Sequence, residues 1–260
     1  MKRSLYIFMT ILLCVLVVFP MTAYAKTYTV SETDLSIQLD DSEWYVFTRD
    51  NIKDNPELVG LGSSYEQMYD ILHSNEAYMD ALIFHTEDSS EIIIGFTELI
   101  IRKTEIDSGI VNLSNYGDDK ALELAKGIAD KQSATDYSVY KSEYKFARLN
   151  YIDSGYHLCE FLTVVNKEGY TFTFQSQTPF TDADYEEFEN IIDSIRFDID
   201  TSLKESNNSS FWSNVITKAI GGAVIGGIVG AVISLVNKKK KKNEQNNPIS
   251  SDITDIGQEE

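Results

Sequence analysis

Two apolar stretches near opposite ends of the 260-residue chain constrain everything that lies between them. The second, residues 219–236, is followed after Asn237 by Lys238, Lys239, Lys240, Lys241 and Lys242. Its length is near the minimum that crosses a ~30 Å hydrocarbon core. Nine of its residues are Ile, Val or Leu, each favouring insertion by ~0.3–0.6 kcal/mol. Its glycines erode that sum. Lys218 at the edge can raise its amine to the headgroups, and Phe211 and Trp212 stand where an interfacial aromatic belt is expected. A buried core helix is the competing reading, and a Gly-rich stretch with no polar face suits it poorly. A C-terminal transmembrane helix over residues 215–237 is therefore expected.

The first stretch has the three parts of a secretory signal. Lys2 and Arg3 make a positive start, residues 5–19 are almost wholly apolar, and Pro20 breaks the run. Ala23 and Ala25 then supply the small residues of a cleavage site, which predicts a signal peptide over residues 1–25. An uncleaved N-terminal anchor is the alternative. Five lysines after the span mark the cytoplasmic side, so both signals put residues 26–200 outside the cell. The lysines can also attract anionic lipid, although a stop-transfer role explains them without it. The expected layout is an outer domain at 26–200, a juxtamembrane linker at 201–214, the span, and a Lys-led disordered tail at 238–260.

Between residues 26 and 210 there are 14 Lys and Arg against 36 Asp and Glu, a net charge of −22. Such a surface repels phosphates, which argues against nucleic acid as a partner. One cysteine, Cys159, remains after cleavage. An exported domain without a disulfide pair must rest on its hydrophobic core, a habit more typical of bacterial envelopes than of animal extracellular modules.

Within the domain, alternation and apolar runs predict strands at 27–30, 35–39, 44–48, 81–84, 92–101, 138–144, 146–152, 156–165 and 170–175. Pro56 is expected to start a short helical turn. The run from Ser63 to Glu66 reads as a capping box for a helix whose stripe is Tyr65, Met68, Tyr69 and Leu72. Asp118 and Asp119 open a second helix that buries Ala121, Leu122, Ala125, Ile128 and Ala129. Residues 166–169 form a hairpin turn with Gly169 near its end. Thr181 caps a last helix lined by Tyr185, Phe188, Ile191, Ile192 and Ile195. Residues 156–165 are apolar on both faces, as in a strand covered from both sides. The fold class expected is α+β, a mostly antiparallel sheet with helices on both faces.

This order resembles the PsbP-like fold, shared by an extrinsic photosystem II subunit and a Ran-binding nuclear import factor. The resemblance covers residues 27–198. It is carried by the strand, turn, strand and Thr-capped helix of residues 156–197, ending in Ser194-Ile195-Arg196-Phe197. Residues 44–50 are similar to the opening of uncharacterised secreted bacterial proteins of that fold. Members of the fold act mostly as binding or assembly factors, so the resemblance implies a non-enzymatic module. Neither photosystem nor Ran-binding residues can be placed on this chain.

Motifs for chemistry are sparse. His157 and Cys159 alternate on one strand face, either as a zinc or thiolate pair or as a structural pair beside Phe161 and Val165. His85, Glu87 and Asp88 are a polar loop or a minimal metal site. No known catalytic signature occurs, and no cofactor or metal is expected. The reading that follows is a membrane-anchored binding or assembly module with a protein or envelope partner. A cell-envelope hydrolase with an unrecognised carboxylate site is the alternative, and a sensor signalling through the span is a third class. Gly222, Gly226 and Gly230 repeat every four residues in the span, flanked by Ala219, Ala223, Gly227 and Ala231. Such rows let helices pack closely, which predicts self-association or, on the plainer reading, nothing beyond a small-residue helix.

Overall fold

The computed structural model describes residues 25–55, 64–74, 76–86, 93–106, 110–134 and 136–204. The expected signal peptide, span, glycine rows and lysine cluster lie outside these residues, as do Pro56, Glu87 and Asp88. Among the described residues no helix is long and apolar enough to cross a membrane.

Among the described residues, ten strands and three α-helices follow in the order β1 (Ala25–Val30), β2 (Leu35–Asp40), β3 (Tyr45–Thr48), α1 (Tyr65–Ser74), β4 (Ala77–Thr86), β5 (Ile93–Glu105), α2 (Asp118–Gln132), β6 (Asp136–Lys141), β7 (Lys145–Asp153), β8 (Tyr156–Val165), β9 (Glu168–Ser176), α3 (Asp182–Asp193) and β10 (Arg196–Phe197). Seven strands form one sheet in the order β3-β4-β5-β9-β8-β7-β6, and β1-β2-β10 form a smaller one. All of these pairings are antiparallel. The α+β class and the antiparallel sheet expected from the sequence are what the chain forms.

Alternation divides the large sheet cleanly. One face carries Met79, Ala81, Leu99, Ile101, Phe146, Cys159, Phe161, Phe172 and Phe174, and the small sheet and α3 cover it in a single core. Phe188 of α3 stacks on Phe174 with ring centroids 4.1 Å apart. The opposite face holds two separate apolar clusters. Around α1, Phe47, Met68, Leu72, Leu82, Phe96 and Ile100 pack together. Around α2, Leu124, Ile128, Leu149, Leu158 and Leu162 do so. Tyr156 touches both.

Local chemistry departs from expectation in four places. The box at α1 is one residue later than the sequence pattern indicates. Ser64 Oγ accepts from Gln67 N at 3.3 Å, and Gln67 Oε1 accepts from Ser64 N at 3.0 Å. Tyr69, on the expected stripe of α1, is 39% exposed and stacks on His73. In α2, Leu122 is 44% exposed whereas Leu124 is buried, because the buried arc runs through Ala121, Leu124, Ala125 and Ile128 at spacings of three and four.

The hairpin between β8 and β9 turns on Asn166 and Lys167 alone, both at positive φ (54° and 66°), a two-residue turn whose twist suits the strands. Gly169 is already in β9, and its missing side chain serves a close approach instead: a Cβ there would strike Ile106 Cδ1. At Thr181 the expected cap is present as a full box with Asp184, whose Oδ2 accepts from Thr181 N at 2.6 Å.

Candidate functional site

Between the two clusters of the helix-covered face lies a strip of polar side chains in the middle of the sheet. β4 contributes Asp80, β5 Glu98 and Arg102, β9 Thr173 and Gln175, β8 Glu160, and β7 Tyr151. Register explains the grouping. Glu98 stands opposite Gln175, and Ile100 opposite both Asp80 and Thr173. Glu160 stands opposite Thr173 on the other side, so all these side chains point to the same face.

The strip is dry. Asp80 is 1% exposed, Glu98 0%, Glu160 3% and Arg102 7%. Three carboxyls and one guanidinium in such a layer cannot all be ionised cheaply, since unpaired buried charge is strongly penalised. The chain resolves the excess in two groups. Glu160 accepts from Thr173 Oγ1 at 3.0 Å, is hydrogen-bonded to Tyr151, and lies in the field of Arg102. Asp80 and Glu98 hydrogen-bond to each other, and Gln175 Nε2 donates to Glu98 Oε2. Asp80 Oδ1 and Glu98 Oε1 have no hydrogen-bond partner among the described residues.

The electrostatics follow from that arrangement. Burial, then the neighbouring Glu98 charge, pushes the Asp80 carboxyl well above the ordinary carboxylate range. Burial raises Glu98 to about 7, against the opposing effect of Gln175. Glu160 is raised by burial, with Thr173 and Arg102 opposing, and burial lowers Arg102. Burial thus favours the protonated form of all three acids, a property common to functional sites and to structural networks. As a pair, Asp80 and Glu98 titrate together rather than singly.

The sequence-predicted residues have other surroundings. His157 and Cys159 do lie on one face of β8. Cys159 is fully buried in the aromatic core, where burial pushes its thiol up to about 12, the opposite of an activated nucleophile. His157 is half-buried. His85 Nε2 lies 2.9 Å from Thr97 Oγ1. Among the described residues no three His, Cys, Asp or Glu side chains are grouped to hold a metal. The polar strip itself escaped the reading of the sequence. Its signal is a lone charge inside an apolar strand: Glu98 in Thr97-Glu98-Leu99-Ile100-Ile101, Glu160 between Cys159 and Phe161, Asp80 between Met79 and Ala81.

No known family model matches the chain, and no curated protein matches it. A solved chain similar to it is cyanobacterial PsbP (CyanoP) from Synechocystis sp. PCC 6803, determined in solution. The likeness has a TM-score of 0.39 at 12% sequence identity, covering 68% of this chain and 94% of that one.

Proposed function

We propose that the protein is a single-pass membrane protein of a bacterial cell envelope whose outer domain binds a protein or envelope component and performs no chemistry. The layout rests on residue chemistry: a signal with a cleavage site at Ala25, a span at 215–237, and Lys238 to Lys242 holding the C-terminus in the cytoplasm. The outer domain takes a PsbP-like arrangement in this reading, on the strength of the strand, turn, strand and capped-helix order of residues 156–197.

The observation that favours binding over hydrolysis is where the buried carboxyls point. A glycosidase-type site sets two carboxyls on opposite sides of a substrate, ~5 Å or more apart. Asp80 and Glu98 instead hydrogen-bond directly to each other, and Glu160 is engaged by Thr173 and Tyr151. Each carboxyl makes its hydrogen bonds to neighbours inside a closed layer, with Asp80 Oδ1 and Glu98 Oε1 left without partners among the described residues. The strong negative charge of the domain argues against nucleic acid as the ligand and suits a cationic or neutral partner.

Photocrosslinking from exposed positions such as Tyr45 and Ile152, on the full chain in native membranes, tests the reading. A discrete crosslinked partner recovered from one position and not from the other supports it. A hydrolytic activity of the purified chain, lost in a folded Glu98→Gln or Glu160→Gln variant, would replace it with the hydrolase reading.

A further inference from the structure

The helix-covered face of the large sheet is built as two halves. α1 packs through Met68 and Leu72 onto the β3-β4-β5 side, and α2 packs through Leu124, Ala125 and Ile128 onto the β7-β8 side. The two apolar clusters do not merge. The polar strip fills the interval between them, so the seam of this face is held by hydrogen bonds and charge balance, whereas the opposite face is held by one continuous aromatic core.

We propose that the strip is a proton-held latch: with a proton on the Asp80–Glu98 pair the seam is closed, and loss of that proton loosens α1 and α2 from the sheet. The charge count is what makes it bistable. Arg102 offsets one carboxylate, and Glu160 lies in its field and is hydrogen-bonded to Tyr151 and Thr173. Arg102 also acts on Asp80 and Glu98, but one guanidinium shared among three carboxyls leaves the pair short of positive charge. It can stay neutral, with Asp80 and Glu98 bonded to each other and Gln175 donating to Glu98. Ionised, it places uncompensated negative charge among groups that are 0–1% exposed, with Asp80 Oδ1 and Glu98 Oε1 lacking hydrogen-bond partners among the described residues.

The helices bring nothing to compensate. Facing the seam, α1 presents Met68 and Leu72 with the partly buried Tyr65. From α2 come Ala121, Leu124, Ala125, Ile128 and Ala129. Tyr156 lies at the edge of both clusters. The strands supply Asp80, Glu98, Arg102, Glu160 and Tyr151 as the titratable or charged groups, and Arg102 is the single cation among them. A burial-raised Glu98 near 7 is consistent with a transition in the physiological range. Opening the seam admits water to the pair and restores ordinary carboxylate behaviour, so raising the pH drives opening.

Hydrogen exchange of the full chain in nonionic detergent at pH 5.5 and 7, corrected for intrinsic exchange rates, tests the latch. The opening constants of the α1 and α2 peptides should rise roughly tenfold per pH unit, while peptides from β1 and β2 stay level. Glu98→Gln, which cannot ionise, should remove most of that rise. Should Glu98→Gln not fold, Asp80→Asn takes its place with the same expectation. A pH-independent opening of α1 and α2 in the parent, or an equal rise in the folded variant, overturns the proposal.

Discussion

Asp80 and Glu98 are diagonal neighbours on adjacent antiparallel strands, Asp80 opposite Ile100 and Glu98 opposite Leu82, and their side chains hydrogen-bond to each other in a layer almost closed to solvent. Two acids in that relation hold protons more tightly in the folded protein than in the unfolded chain. Their stabilising effect is fully present below the ordinary carboxylate range near 4–4.5 and is lost as pH rises through about 7 for Glu98. Glu98→Gln should therefore gain on the parent as pH rises, reaching roughly 1–3 kcal/mol at pH 7.5. Urea unfolding at pH 5 and pH 7.5 checks this. A variant weaker than the parent by the same amount at both values contradicts it.

Cys159 is the sole cysteine of the chain beyond Cys14, and it lies wholly inside the aromatic core with its thiol raised to about 12 by burial. The folded protein should not react with a thiol reagent on the minutes timescale, and should react fully in denaturant. Stability should be the same with and without reductant. Cys159→Ser places a hydroxyl where the thiol was and should cost ~1–3 kcal/mol. Fast labelling of the native protein would show that the core around β8 is open.

Asn166 and Lys167 share a turn and a positive φ but not a role. Asn166 Nδ2 donates to Asp34 Oδ2 at 3.1 Å and to the Asp198 carbonyl at 2.7 Å, and its Oδ1 accepts from Asp200 N at 3.0 Å. It ties the end of the domain to the hairpin. Lys167 contributes its backbone, whose N–H donates to Val111 O at 3.0 Å. Lys167→Gly relieves a left-handed lysine and should be neutral or stabilising by up to ~1 kcal/mol. Asn166→Gly relieves the same strain yet should destabilise by ~1–2 kcal/mol through the lost hydrogen bonds. Equal thermal melts for the two variants would contradict the assignment.

Much of the fold is legible in the sequence, for identifiable reasons. Long apolar alternation placed the strands from β4 to β9, and the Thr181 box marked α3, because both signals are local. The division of β9 into two faces is equally plain, Tyr170, Phe172 and Phe174 on one side and Thr171, Thr173 and Gln175 on the other, but not that Thr173 and Gln175 are buried too. What stayed hidden depends on partners distant in sequence. Glu98 and Glu160 become one strip because β9 lies between β5 and β8, and no periodicity within one strand reveals that order. Gly169 looked like a turn glycine because its true reason, the packing of Ile106, lies across the sheet. The exposed Leu122, named where Leu124 is the buried residue, shows that a stripe with one wrong member still looks amphipathic.

The glycine rows of the expected span yield a prediction independent of the domain. In a bilayer, apolar burial cannot drive helices together, so close backbone contact must. Gly226→Ile should weaken self-association of the span in a membrane reporter assay, and Ile228→Leu should do far less. An unchanged signal for Gly226→Ile means the glycines are not an interface.

The outer domain and the Lys-led tail are expected on opposite sides of the membrane, and one labelling measurement reads that directly. Ile152 is 66% exposed, so Ile152→Cys gives the domain a surface thiol, while Ser250→Cys marks the tail. A membrane-impermeant maleimide applied to intact cells should label Ile152→Cys at once and Ser250→Cys only after permeabilisation. Labelling of the tail in intact cells, with Ile152→Cys protected until the membrane is broken, would contradict it.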